Sequence, residues 1–291
     1  MIDGVYVVDK PGGLTSHDVV AKLRRQLGTR AIGHAGTLDP LATGVLLLLA
    51  GEATKLSPYL TLETKSYRAE VRFGLATDTL DIDGHVEREV AVPPGALAQA
   101  ALAAALAAER ERREQTPPVI SAIQVGGERA HRLARRGEAP ELPARPVRVV
   151  RLELGAVQDD RIEVEVTATK GYYVRALARD LGERLGLPAC LSALRRTESG
   201  GFTLAEALVW PVPAGAVPLS VLAAARRCLP SVELSPAGAQ RARLGQALAP
   251  EHFVAPPAPE GPSAWTYEEA LVAVGARRDE SFRVLRGFGP R

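Results

Sequence analysis

Apolar and polar positions alternate with period two over Lys65 to Phe73, where Tyr67, Ala69, Val71 and Phe73 share one face and Ser66, Arg68, Glu70 and Arg72 the other. That spacing predicts a half-buried strand with Tyr67 pointing inward. Arg161 to Thr169 shows the same pattern, with Ile162, Val164, Val166 and Ala168 in phase. Together with Pro146 to Val157 it predicts an antiparallel pair joined at Gln158-Asp159-Asp160. Gly4 to Asp9 and Val45 to Leu49 are short continuous apolar runs bounded by turn residues, as in fully buried strands. Leu191 to Arg196 and Val119 to Val125 are further strand candidates.

Helical spacing appears elsewhere. Val19, Val20, Leu23 and Leu27 fall on one face of a helix predicted to begin near Ser16 and to close at Gly28. Leu177, Leu181 and Leu185 recur every four residues in a helix predicted over 174–185. Gly95 to Glu114 is alanine-rich and helix-prone, with a charged, solvated end, and Glu128 to Arg136 reads as a short helix. Gly33 to Gly44 is polar and glycine-punctuated, hence a loop. These elements predict an α+β domain, a mixed sheet with helices on one side.

The chain's 291 residues exceed the usual single-domain size. A proline-rich stretch, five prolines in the fourteen positions 249–262, precedes two or three short strands predicted over 268–288. The expected division is a domain over 1–225 and a small β-rich domain over 226–291.

Composition changes this picture little. With 46% hydrophobic and 24% charged residues, the chain matches ordinary globular proteins. No apolar run reaches membrane-spanning length and the first residues do not resemble a secretion signal, so a cytoplasmic location without membrane contact is expected. Cys190 and Cys228 lie far apart in no metal-binding spacing, and buried free thiols are expected. A net charge of +2 neither requires nor excludes nucleic acid. Arg129, Arg132, Arg135 and Arg136, with Arg24, Arg25 and Arg30, are as compatible with a solvated face as with an RNA backbone.

The chemistry concentrates in Gly33-His34-Ala35-Gly36-Thr37-Leu38-Asp39-Pro40-Leu41-Ala42-Thr43-Gly44. Glycines permit close approach of a ligand to the backbone, and Pro40 stiffens the chain after the carboxylate. On the residues alone, Asp39 is either a nucleophile or the side chain of an Asx-type turn. His34 has no partner at metal-ligand spacing, so no metal is expected there. The acidic run 79–90 lacks the glutamate that a calcium loop requires at its twelfth position, which is Val90.

This segment closely resembles the catalytic loop of the TruB family of tRNA pseudouridine synthases. Segments in the family's order accompany it: Asp9-Lys10-Pro11-Gly12 with Thr15-Ser16, Lys65-Ser66-Tyr67, Thr77 to Gly84, Lys170-Gly171-Tyr172-Tyr173-Val174-Arg175, and Leu194-Arg195-Arg196. The resemblance spans about residues 4–200. It implies the pseudouridine synthase fold and, more weakly, a PUA-type RNA-binding module at the C-terminus. It also implies conversion of uridine 55 in the tRNA T-loop to pseudouridine, an isomerisation that needs no cofactor. Under it Asp39 is the catalytic carboxylate, Arg175 its cationic partner, and Tyr67 stacks on the uracil and takes the C5 proton. Tyr173 stands beside Tyr67, Leu194 supplies pocket wall, His34 contacts RNA near the flipped nucleotide, and Lys10 supports the loop. Ile120 and Gln124 depart from the family's usual residues, which affects RNA contacts rather than chemistry. The expected partner is the T-arm of tRNA, bound by a monomer with no protein partner. A guide-RNA-dependent rRNA synthase and a non-catalytic tRNA-folding chaperone are the alternatives.

Overall fold

The computed structural model describes residues 2–61, 64–121, 123–125, 128–130, 133, 136, 138, 140–258 and 260–289. A mixed, largely antiparallel nine-stranded sheet organises the chain. Its main path runs Val149–Val157, Arg161–Ala168, Lys65–Phe73, Ala189–Ser199, Thr43–Ala50, Gly4–Lys10, Leu208–Val209. Two of these contacts are parallel: Ala189–Ser199 with Thr43–Ala50, and Gly4–Lys10 with Leu208–Val209.

The period-two strands form as their patterns predict. Ala69, Val71 and Phe73 are buried opposite Ile162, Val164 and Val166, giving one continuous apolar layer. Helix Ser16–Leu27 is fixed at both ends by local chemistry. Thr15 Oγ1 accepts from the Asp18 N–H while the Asp18 carboxylate accepts from the Thr15 N–H, and Gly28 closes the helix at φ 62°. Helix Val174–Leu185 likewise ends on Gly186 at φ 70°.

Several expectations need correction. The predicted loop 33–44 is partly strand: Ile32–Ala35 pairs with Leu47–Ala50, leaving the turn to residues 36–42. The alanine-rich helix spans only Gln99–Arg110, and Glu114–Gln115 pairs with Arg145–Pro146. Its charged end is solvated at Arg110, Glu111, Arg113 and Glu114 but not at Glu109. Glu109 is fully buried, because Arg112 donates to both its carboxylate oxygens at 2.7 Å and the Tyr172 hydroxyl donates at 2.9 Å. Of the strand expected over 119–125, only Gln124–Val125 forms, paired with Glu128–Arg129, so the short helix expected over 128–136 begins as strand. Arg132, Arg135 and the Arg129 side chain lie outside the described residues, as does Ala122.

Helices do not cover one side alone. One face packs on helices Ser16–Leu27, Gln99–Arg110 and Val174–Leu185. The other, over Val5, Val7, Val45, Leu47 and Leu49, packs on helix Val221–Cys228 and on Ala264, Leu271, Val274 and Phe288 of a second sheet. That four-stranded sheet orders Ser231–Glu233, Pro262–Tyr267, Ala270–Arg278 and Ser281–Gly287. Its own core centres on Trp265, Phe253 and Phe282, stacked edge to face. Helix Pro236–Arg243, absent from the expectation, starts at the N-cap Ser235. Cys190 is buried and Cys228 half-buried, its Sγ against the Ala224 and Ala225 carbonyls, and the two do not form a disulfide. Among the described residues no helix is long and apolar enough to cross a membrane.

Gly44 marks where this sheet and the 36–42 turn meet. It sits at φ +99°, and a Cβ there would land on the Arg196 carbonyl oxygen of the neighbouring strand. Gly44→Ala is therefore expected to destabilise the fold by about 2 kcal/mol or more. A thermal melt of the variant measures this, and an unchanged midpoint would contradict the close packing.

Candidate active site

Five segments converge on one cavity of about 420 Å³. The 36–42 turn brings Asp39, strand Lys65–Phe73 brings Tyr67, the start of helix Val174–Leu185 brings Tyr173 and Arg175, strand Ala189–Ser199 brings Leu194 and Arg196, and strand Ile32–Ala35 brings His34. Of the expected site residues, only Lys10 does not line it.

Arg175 is buried, contrary to a surface residue of a helix's first turn. Its Nε lies 2.8 Å from Asp39 Oδ2 and 3.8 Å from Asp81 Oδ2. The Nε–H is not aligned as a hydrogen bond, so the Asp39 contact is an ion pair. The guanidinium is oriented instead by donating to the Thr79 carbonyl at 2.6 Å and the Ile120 carbonyl at 3.0 Å. Two backbone anchors and two carboxylates thus hold one cation against Asp39, which keeps partial solvent access.

Lys10 lies below the turn, fully buried. Its Nζ donates to the carbonyls of Pro11, Leu14 and Pro40 at 2.9, 2.6 and 3.3 Å, tying the residue after Asp39 to the first strand. Burial pulls its pKa down to about 8, against the opposing pull of the Asp39 charge. Ser16 adds a second tether, since its Oγ accepts from the Leu38 N–H at 2.9 Å and contacts the Leu38 carbonyl at 3.1 Å.

Tyr67 lies half-buried on the cavity wall, where Arg196 also lines the cavity. Tyr173 is held through its backbone, whose N–H donates to Gln115 Oε1 at 2.8 Å while Gln115 Nε2 donates to its carbonyl at 3.2 Å. Burial raises the Tyr173 phenol pKa. Leu194 is buried and supplies apolar wall.

His34 stacks edge to face on His17, with ring centroids 5.3 Å apart. Burial first, then the charges of His17 and Arg196, pull its pKa to about 4, so the ring is neutral near pH 7. Between pH 6.5 and 4 the unfolded chain takes up a proton there that the folded chain refuses, so stability falls as pH falls. His34→Gln is expected to lose less stability than wild type between pH 7 and pH 4.5 in urea melts. Equal losses would contradict a low-pKa ring.

Two residues here were not assigned roles from sequence. Asp81, buried, sits in the 77–84 segment, and desolvation raises its pKa against the opposing pulls of Thr79 and Arg175. Arg196 follows Leu194 by two positions on one strand, a same-face spacing that was legible. Of the other arginines considered for RNA, Arg136 pairs with Glu128 and Glu138, and Arg24 donates to the Ile32 carbonyl.

Comparisons with known proteins follow the same lines. Residues 24–174 match the family model described as TruB family pseudouridylate synthase (N terminal domain). A Nocardia farcinica protein named tRNA pseudouridine synthase B is 53% identical over 210 residues, covering 71% of this chain and 68% of its own length. A Mycobacterium sp. (strain KMS) protein of the same name is 43% identical over 294 residues, covering 97% of this chain and 96% of its own. In fold, the chain is similar to a chain of a solved Cbf5-Nop10-Gar1 complex, with TM-score 0.75 at 24% identity over 99% of this chain and 85% of that one.

Proposed function

Because the chain belongs to the TruB family of pseudouridylate synthases, we propose that it isomerises uridine 55 in the T-loop of tRNA to pseudouridine, with Asp39 as its catalytic carboxylate. The observation that carries this is the Asp39–Arg175 ion pair at the mouth of a pocket walled by Tyr67, Tyr173 and Leu194. The relatives that match nearly the whole chain are named for tRNA, which favours tRNA over a guide-dependent rRNA substrate.

In this reading the target base leaves its stack and enters the cavity between Tyr67 and Leu194. The N1–C1′ bond breaks, C5 of the same base bonds to C1′, N1 gains a proton and C5 loses one. The Asp39 carboxylate attacks or assists at the sugar, and Arg175 holds it in place as its ion-pair partner. Stacking on Tyr67 contributes about 1–3 kcal/mol to keeping the detached base in place. Tyr67 gives its hydroxyl proton toward the detached base, where it ends on N1, and Tyr67 Oη takes the C5 proton in return. His34, neutral, presents an apolar ring edge to the nucleotides flanking the flipped one, and Lys10 holds the turn in register.

Residues 226–291 act as a PUA-like RNA-binding unit. Exposed Arg243, Arg277, Arg278, Arg283 and Arg286 on its helix and strands offer phosphate contacts. The chain acts as a monomer in the cytoplasm. The experiment incubates purified protein with unmodified tRNA transcript and no guide RNA, then maps pseudouridine by carbodiimide treatment and primer extension. A single stop in the T-loop is expected; tRNA binding with no stop would favour the chaperone alternative.

A further inference from the structure

Two guanidinium groups face the cavity, and their charge environments differ. Arg175 lies between Asp39 and Asp81. Arg196 is 1% exposed, and no carboxylate among the described residues comes within ion-pair distance of it. Its Nε donates to the Val45 carbonyl at 2.7 Å and Nη2 donates to the Gly36 carbonyl at 2.9 Å, and Tyr67 lines the same cavity beside it. These are all neutral groups. Burying an uncompensated cation is costly, and an arginine stays protonated when buried. Its charge is felt across the site, since it helps depress both Lys10 and His34.

The chemistry of the proposed isomerisation supplies a use for that charge. When N1–C1′ breaks, the bonding pair goes to N1, and uracil is left as an anion with its charge spread over O2 and O4. Nothing neutralises this anion until C5 bonds to the sugar. Arg175 is already matched by two carboxylates. We propose that Arg196 is a positioning residue for the detached base: its unneutralised charge, beside Tyr67 on the cavity wall, stabilises the uracil anion while its two backbone bonds brace both ends of the Asp39 turn. This rests on the pseudouridine synthase reading above. Fixed charge of this kind acts without reorganisation and in a water-poor site.

Charge and bracing are separable. Lysine at position 196 keeps the charge but cannot span both carbonyls; glutamine keeps a donor and loses the charge. Single-turnover conversion of unmodified tRNA is measured for wild type, Arg196→Lys and Arg196→Gln, with tRNA affinity and thermal melts alongside. Arg196→Lys is expected within about tenfold of wild type and Arg196→Gln about 100-fold or more below it, at unchanged affinity. Glutamine equal to or better than lysine overturns the inference. Wild type inactive on tRNA would instead sink the underlying reading. Should either variant not fold, the unaltered chain decides: 5-nitrouracil, an anion at neutral pH, is expected to bind about tenfold or more tighter than neutral uracil in equilibrium dialysis. Equal or weaker binding of the anion, or no detectable binding of it, overturns the inference.

Discussion

Asp39→Ala is expected to lower the single-turnover rate by on the order of 10⁴-fold or more, with tRNA affinity nearly unchanged. The side chain is small and partly exposed, and the turn around it is held by other groups, namely Lys10 on the Pro40 carbonyl and Ser16 on Leu38. Alanine therefore removes the nucleophile without removing its frame. The variant also leaves Arg175 with Asp81 as its remaining carboxylate partner, at 3.8 Å, so the guanidinium stays anchored at Thr79 and Ile120. Rapid-quench conversion and filter binding together separate the two effects. A parallel loss of affinity and rate would mean that the carboxylate binds RNA and does no chemistry.

Arg175→Met is expected to cost both activity and stability. Removing the cation takes from Asp39 and Asp81 the guanidinium they share, and the buried Asp81 carries most of the penalty. Breaking a buried pair from one side costs about 3 kcal/mol or more, and the rate is expected to fall by about 100-fold or more. The sign with pH follows from Asp81, whose folded-state pKa is raised by desolvation. A carboxylate with a raised folded pKa binds its proton more tightly when folded, so stability is lost as pH rises from the unfolded value through the folded one. Without Arg175 that pKa rises further, so the deficit of Arg175→Met should be largest near neutral pH and shrink on acidification. Urea melts of wild type and variant at pH 7 and pH 5 measure it; a deficit independent of pH would show that the pairing with Asp81 is not its cause.

What could be read in advance follows a physical division. Elements set by their own residues were legible: the alternation of Lys65 to Phe73 and the helix that begins at Ser16 and closes on Gly28 each follow from local chemistry. The Asp39 turn was legible through its motif, and the motif also brought Tyr67, Tyr173, Arg175 and Leu194 together. Elements set by distant partners were not. Gly33-His34-Ala35 has a loop-like composition and becomes strand only because Leu47 to Leu49 offers an unpaired edge. The 119–125 segment is apolar enough to suggest a strand, yet the Ile120 carbonyl is engaged by Arg175. Glu109 sits in a run of charges that suggests a solvated helix end. It is buried because Tyr172 and Asp180, from a distant part of the chain, converge on it and on Arg112 of the same run. Helix Pro236–Arg243 had readable signals in Ser235 and Pro236, masked by a buried face made only of Gly238, Ala239 and Ala242.

The most direct test of the central claim follows the hydrogen that the isomerisation must release. A tRNA transcript carrying tritium at C5 of its uridines is mixed with excess protein, and tritium released to water is counted per tRNA. The account predicts one uridine's worth of tritium per tRNA from wild type and none from Asp39→Ala. Release of none by wild type that still binds the tRNA, or undiminished release by Asp39→Ala, would contradict it.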